Sequence, residues 1–166
     1  MKTRISLLIA IFSFFAISAS SYAQKPNFSG KFNFNESKSN VGDGPMRAAY
    51  QITVTQDAAT LSAERKSKGR DGEDRVQTSK YTLDGKECEN QGFRNSVSKS
   101  ILTWSADQKS LIINTTTVMD MNGEKMEMKS VETWSISADG ATLTINVTRD
   151  TPNGEMKQVL IYDKAK

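Results

Sequence analysis

The sequence contains no histidine. Histidine is the commonest metal ligand and the usual general base near neutral pH. Its absence excludes Ser-His-Asp and Cys-His catalysis outright. Cysteine is almost absent as well: Cys88 stands alone, so no intrachain disulfide can form. The core and the sheet must hold the domain without covalent help. Cys88 then reads as a small, partly buried strand residue rather than a reactive thiol or an intermolecular bridge. Helical periodicity is missing too, since no segment sustains apolar residues at a spacing of three and four.

Only one long apolar run is present, from Ile5 to Ile17, and it follows the basic residues Lys2 and Arg4. Ser21-Tyr22-Ala23 then offers small residues at the two positions a signal peptidase reads. The run is too short for a membrane span. Residues 1–23 are therefore expected to be a cleaved secretory signal, and residues 24–166 a single exported domain, periplasmic or secreted. No Cys lies near the cleavage point to carry a lipid anchor. Of the 22 Lys and Arg residues, two lie in the signal, which leaves 20 against 19 Asp and Glu, a formal net charge of +1. A mixed, nearly neutral surface gives no electrostatic footprint for nucleic acid.

What the chain does have is turns. Asp71-Gly72, Asp84-Gly85, Asn122-Gly123, Asp139-Gly140 and Asn153-Gly154 punctuate segments that mostly alternate apolar and polar residues. Such dipeptides suit type I′ hairpin turns, where both central residues take positive φ. Ten strands are expected near 29–35, 47–56, 60–68, 74–83, 86–93, 97–105, 110–120, 124–137, 141–149 and 156–163. The stretch 36–46, with Gly42, Gly44 and Pro45, reads as a loop opened by one helical turn. Thr103-Trp104-Ser105 and Thr133-Trp134-Ser135 form an internal echo, each ending a strand before an Ala-Asp turn. In a meander, strands two apart run the same way, so the two tryptophans can enter the core at one level.

Ten hairpin-linked strands in an open sheet would expose two aggregation-prone edges. Closure into an up-and-down barrel removes them. The fold class expected is all-β, an antiparallel up-and-down meander of about ten strands closed into a lipocalin-like barrel. A two-sheet sandwich would need long crossovers, and only 36–46 is long enough. A membrane barrel would need an apolar outer band. Instead, one outer face reads Lys129, Val131, Thr133 and Ser135, and the next Thr142, Thr144, Asn146 and Thr148.

Strand parity assigns the inward faces. Tyr50, Ile52 and Val54 share one face, as do Leu102 and Trp104, and as do Leu111, Ile113, Thr115 and Thr117. Met126, Met128, Ser130, Glu132, Trp134 and Ile136 share another, and Leu143, Ile145, Val147 and Arg149 a fourth. Glu132 is the exception on an apolar face. An unpaired carboxylate there would be costly. The hairpin at Asp139-Gly140 brings Arg149 opposite or one diagonal step away, so an inward Glu132–Arg149 ion pair is expected. Such a pair would orient a ligand's polar group, or only fix register in the barrel. One inward acid is not the carboxylate pair of a glycosidase, and no nucleophile–base pair or metal site can be assembled. Arg70 to Arg75, with its three acids, reads as a solvated hairpin tip rather than a calcium loop. The cluster Met119, Met121, Met126 and Met128 suits ordinary core filling or an adaptable surface.

Asn27-Phe28-Ser29-Gly30-Lys31-Phe32-Asn33-Phe34-Asn35, followed by Lys38-Ser39, resembles the opening of bacterial exported lipocalin-like domains. Glu132 to Thr144 is similar to their late hairpin, and Ile161-Tyr162-Asp163-Lys164 to their ending. The resemblance implies a calycin-type barrel with a small apolar ligand. It departs at Phe32, where lipocalins carry Trp, and in having no helix after the last strand. The function expected is non-enzymatic, cofactor-free binding of a small, mainly apolar molecule inside the barrel. The lining residues expected are Tyr50, Ile52, Trp104, Met128, Glu132, Trp134, Ile145 and Arg149. The alternative is an envelope structural or protein-interaction module whose barrel is filled.

Overall fold

The computed structural model describes residues 25–42, 48–69, 71–92, 96–121, 124–151 and 154–166. The expected signal sequence, the Asn122-Gly123 turn and residues 43–47 of the long loop lie outside the described residues. No helix among the described residues is long and apolar enough to cross a membrane.

Ten strands form one antiparallel sheet: β1 (Gly30–Phe34), β2 (Gln51–Gln56), β3 (Thr60–Lys68), β4 (Asp74–Thr82), β5 (Glu87–Gln91), β6 (Val97–Trp104), β7 (Ser110–Met121), β8 (Glu124–Ile136), β9 (Thr142–Thr151) and β10 (Gly154–Lys164). The order is β4-β3-β2-β1-β10-β9-β8-β7-β6-β5. The meander is therefore joined end to end by β1 with β10, where Phe32 lies opposite Lys164 on one side and Ile52 on the other. β4 and β5 meet without a main-chain ladder, and they leave a seam in an otherwise closed barrel. β2 begins later than its sequence pattern suggests. β1 ends at Phe34, whose N–H donates to the Tyr50 carbonyl at 2.9 Å, while the Tyr50 N–H still donates to the Lys66 carbonyl of β3 at 2.8 Å, so the ladder fades just before Gln51. A single 3-10 turn, Glu36–Lys38, opens the β1–β2 connection, capped by the Asn35 side chain.

The turns differ from the type I′ expectation. Gly72, Gly85 and Gly140 take φ of 83°, 78° and 67°, but Gln108 is the sole non-glycine residue with positive φ among the described residues. The aspartates before these glycines keep ordinary φ and use their carboxylates instead. Asp139 accepts the Ala141 N–H at 3.0 Å and the Ser137 hydroxyl at 2.5 Å. The Gly140 N–H bonds to the Ser137 carbonyl at 2.8 Å, and the Ser137 N–H to that of Thr142 at 2.9 Å. This is the longer hairpin loop, a type I turn closed by a left-handed glycine. The echo hairpin repeats it. Asp107 accepts from Ser105 at 2.6 Å and from the Lys109 N–H at 3.1 Å, with Gln108 at φ 58° in the place of Gly140.

Several strands run from apolar to polar along their inward faces. β3 presents Leu61 and Ala63, then Arg65 and Ser67. β6 presents Leu102, then Ser100 and Ser98. β7 presents Leu111 and Ile113, then Thr115 and Thr117. β9 presents Leu143, Ile145 and Val147, then Arg149. The apolar end is solid. Phe28, Phe32, Leu61, Leu102, Leu111, Trp134 and Leu143 are all 0% exposed. Trp104 and Trp134 flank Leu111 at one level, each its register partner on either side. The segment before β1 crosses this end. There Phe28 packs 6.2 Å from the Trp104 ring, centroid to centroid, and Lys25 lies over that ring at 5.0 Å. Phe32 is fully buried in this end, and Gly30 makes room for it: a Cβ there would come within 2.9 Å of the Phe32 ring.

Candidate functional site

The polar half of the interior is hollow. A cavity of about 280 Å³ begins where the apolar core stops. One wall is a double row of hydroxyls on β6 and β7. Ser98 meets Thr117 at 2.8 Å and Ser100 meets Thr115 at 2.9 Å, each pair being register partners on the inward face. One hydroxyl in each pair donates to the other, so each pair keeps one proton and several lone pairs for a third group. The apolar contribution comes from Ile52, Ile145, Val147 and Leu160, with the Ala48 and Ala49 methyls of the long loop near the polar end.

The floor carries the charged groups. Glu132 from β8 receives Arg65 from β3 at 2.7 Å. The Trp134 indole N–H donates to the same carboxylate oxygen at 2.8 Å. Both side chains of the ion pair are about one-fifth exposed. The Arg65 guanidinium carbon lies 5.3 Å from the centre of the Trp134 ring. Burial opposes the charge on Arg65 more than any other influence, yet Glu132 and Tyr81 together outweigh it and hold the guanidinium firmly protonated. Burial pushes the Tyr162 hydroxyl well above the ordinary tyrosine range, so it faces the cavity as a neutral donor. Arg149 enters from β9. Burial moves its pKa downward and the nearby Arg65 does the same, while Glu132 opposes both.

This cluster corrects one expectation. Glu132 is paired, but with Arg65 rather than Arg149. Arg149 sits opposite Ser130, one diagonal step from Glu132, as the hairpin register requires. Arg65 reaches the carboxylate across the barrel interior instead, and a chord of that kind is invisible to the register of any single hairpin.

Of the eight residues expected to line the interior, Ile52, Glu132, Ile145 and Arg149 border the cavity. Trp134 lies beneath the floor and touches the cavity only through Glu132. Trp104 belongs to the apolar plug beside Phe28. Met128 is half-buried on β8, opposite Thr117 in the register, and does not border the cavity. Tyr50 stands 37% exposed at the rim, with the Lys68 ammonium 6.0 Å from its ring centre. The residues missed by sequence reasoning are mainly polar: Arg65, Tyr81, Gln77, Asn90 and the serines of β6. Parity held a signal for Arg65, which shares its face with Leu61 and Ala63. Among the described residues, no three His, Cys, Asp or Glu side chains are grouped to hold a metal ion.

No protein-family model matches the chain, and no curated protein matches its sequence. Its fold is similar to that of the zebrafish ileal bile acid-binding protein crystallised with cholic acid, at a TM-score of 0.56 and 16% identity, covering 83% of this chain and 98% of that one. At that identity the likeness is one of fold, and the fold is a calycin-type β-barrel.

Proposed function

We propose that the chain is an exported, non-enzymatic binding protein of the lipocalin-like kind, which holds one small, mainly apolar ligand in the polar half of its barrel. The observation that carries this reading is the cavity itself. A barrel that served only as a scaffold would gain stability by continuing its apolar plug to the other end. This one stops at Glu132 and Arg65 and leaves about 280 Å³ lined by side chains from most of its strands. That volume lies near the lower end of the roughly 300–1,000 Å³ found for ligand pockets, so the ligand is compact. Ile52, Ile145, Val147 and Leu160 supply its apolar contact. The hydroxyl rows and the Arg65–Glu132 floor demand that it also carry at least one polar group, because a wholly apolar occupant would strip water from them without replacing its hydrogen bonds. The ligand is therefore an amphipathic molecule, seated with its polar group against that wall.

Native mass spectrometry of the protein purified from its own host tests the reading, together with tryptophan-fluorescence titration by fatty acids and 8-anilinonaphthalene-1-sulfonate. A co-purifying mass or a saturable 1:1 response is expected. Trp134 reports directly, since its indole N–H is bonded to the cavity floor. Neither a bound mass nor any response would favour the envelope interaction module, which acts through its loops.

A further inference from the structure

We propose that the β4–β5 seam is the lateral passage by which the ligand enters and leaves the barrel, and that Asn90 is its latch. The proposal rests on the binding reading above. Elsewhere around the barrel, neighbouring strands are joined by main-chain ladders; β7 and β8, for example, pair from Ser110–Ser135 to Met121–Glu124. β4 and β5 follow one another through the Asp84-Gly85 turn, yet they share no ladder. Side chains do the joining. The Asn90 amide accepts the Lys80 N–H at 2.7 Å and donates to the Lys80 carbonyl at 3.0 Å. One side chain thus imitates both bonds that a paired strand residue would make. Nearer the turn, the Thr82 N–H donates to the Cys88 sulfur at 3.2 Å, and sulfur is a weak acceptor. Toward the polar end, the Gln77 amide reaches the Gln91 carbonyl at 3.4 Å.

The seam also borders the cavity directly. Gln77, Ser79 and Asn90 border the cavity from the two sides of the seam, and Ser98 stands opposite Asn90 in the register. Swinging the Asn90 amide aside breaks two hydrogen bonds that water can replace at once, and it opens the interior without disturbing any ladder. The apolar end of the barrel offers no route, because Phe28 and Trp104 plug it.

Two substitutions test the latch from opposite directions. Asn90→Ala removes it. Thr82→Cys places a second thiol where the Thr82 hydroxyl now lies 3.5 Å from the Cys88 sulfur, so oxidation can tie the seam shut. Stopped-flow binding of 8-anilinonaphthalene-1-sulfonate reads the passage. Asn90→Ala is expected to raise the association and dissociation rates together, by about tenfold. Oxidised Thr82→Cys is expected to slow both, and reduction to restore them. Cys88 is the chain's sole thiol, so its rate of modification by a thiol reagent reads seam opening without any ligand. Asn90→Ala should speed it by a similar factor. Probe rates that are unchanged in both variants, with the probe still bound, would overturn the passage and leave the binding reading standing. An unchanged Cys88 modification rate in Asn90→Ala would overturn the latch. Failure of the unsubstituted protein to bind the probe would overturn the binding reading, and the passage with it.

Discussion

Arg65 and Glu132 meet at 2.7 Å across the barrel interior, one from the third strand and one from the eighth, at the level where apolar packing gives way to the cavity. The carboxylate oxygen that takes the guanidinium also takes the Trp134 indole. The pair therefore ties together the ion pair, the cation–π contact above Trp134 and the roof of the apolar plug.

Removing one partner of such a pair leaves the other's charge largely out of water. Glu132→Ala is expected to cost about 2–4 kcal/mol, toward the low side of the range for buried pairs because the cavity admits some solvent. Replacing both, as Arg65→Met with Glu132→Leu, should cost less than Glu132→Ala alone, since two apolar chains continue the plug without an orphaned charge. Urea denaturation of Glu132→Ala, of Arg65→Met and Glu132→Leu singly, and of the double variant checks this. Strictly additive losses would show that the pair is not coupled.

The hydroxyl rows make a related prediction. Ser100 is 2% exposed and bonded to Thr115. Ser100→Ala strands the Thr115 hydroxyl at a cost of about 1 kcal/mol, whereas Ser100→Ala with Thr115→Val removes both partners and should recover most of that loss. The double variant should also shift probe preference toward wholly apolar ligands. Equal stability losses in the single and double variants would count against the hydrogen bond as the cause.

The two echo hairpins supply an internal control. Gln108 and Gly140 occupy the same left-handed position, at φ 58° and 67°. A side chain there is strained by roughly 1 kcal/mol, partly offset by the greater freedom glycine has in the unfolded chain. Gln108→Gly is expected to stabilise by about 0.5 kcal/mol and Gly140→Ala to destabilise by about 1 kcal/mol. Thermal melts of both variants decide it, and shifts of the same sign would contradict the shared geometry.

Much of the fold was legible because alternation and turn residues are local. The expected strands near 97–105 and 110–120 lie within a residue or so of β6 and β7, because the β-branched and apolar runs Ile101-Leu102 and Leu111-Ile112-Ile113 stand between clear turns. The turn type was not legible. Asp-Gly fits both a type I′ turn and a type I turn with a following left-handed glycine, and only the Asp139 carboxylate's bonds separate them. The inward face of β9 was readable, and Arg149 with it. Arg65 was missed because Glu64-Arg65-Lys66 looks like a solvated run, although Leu61 and Ala63 share its parity. The seam was beyond reach for a different reason: an unpaired junction between strands adjacent in sequence leaves no local mark, and Asn90 becomes its latch only once β4 and β5 are side by side.

The response to pH follows from two features, the missing histidines and the carboxylates of the turns. Asp57 is held below the ordinary range by the Ala59 N–H, then by the Thr60 hydroxyl and N–H. Asp107 and Asp139 are lowered by the Ser105 and Ser137 hydroxyls and by the backbone N–H groups of Lys109 and Ala141. Asp84 falls to about 2, through the Lys86 ammonium first and then the Thr82 hydroxyl. An unfolded aspartate titrates near 3.9. With the folded values depressed, the unfolded chain binds more protons between about pH 4 and pH 2, so stability is fully present above that window and is lost as pH falls through it. Between about pH 5.5 and 8 no histidine is there to titrate. The melting temperature is therefore expected to be flat across that upper range and to drop steeply below pH 4. Asp139→Asn should make the acid slope shallower while lowering stability at pH 7. A change of several degrees between pH 6 and 8 would show that some other group governs the fold's response.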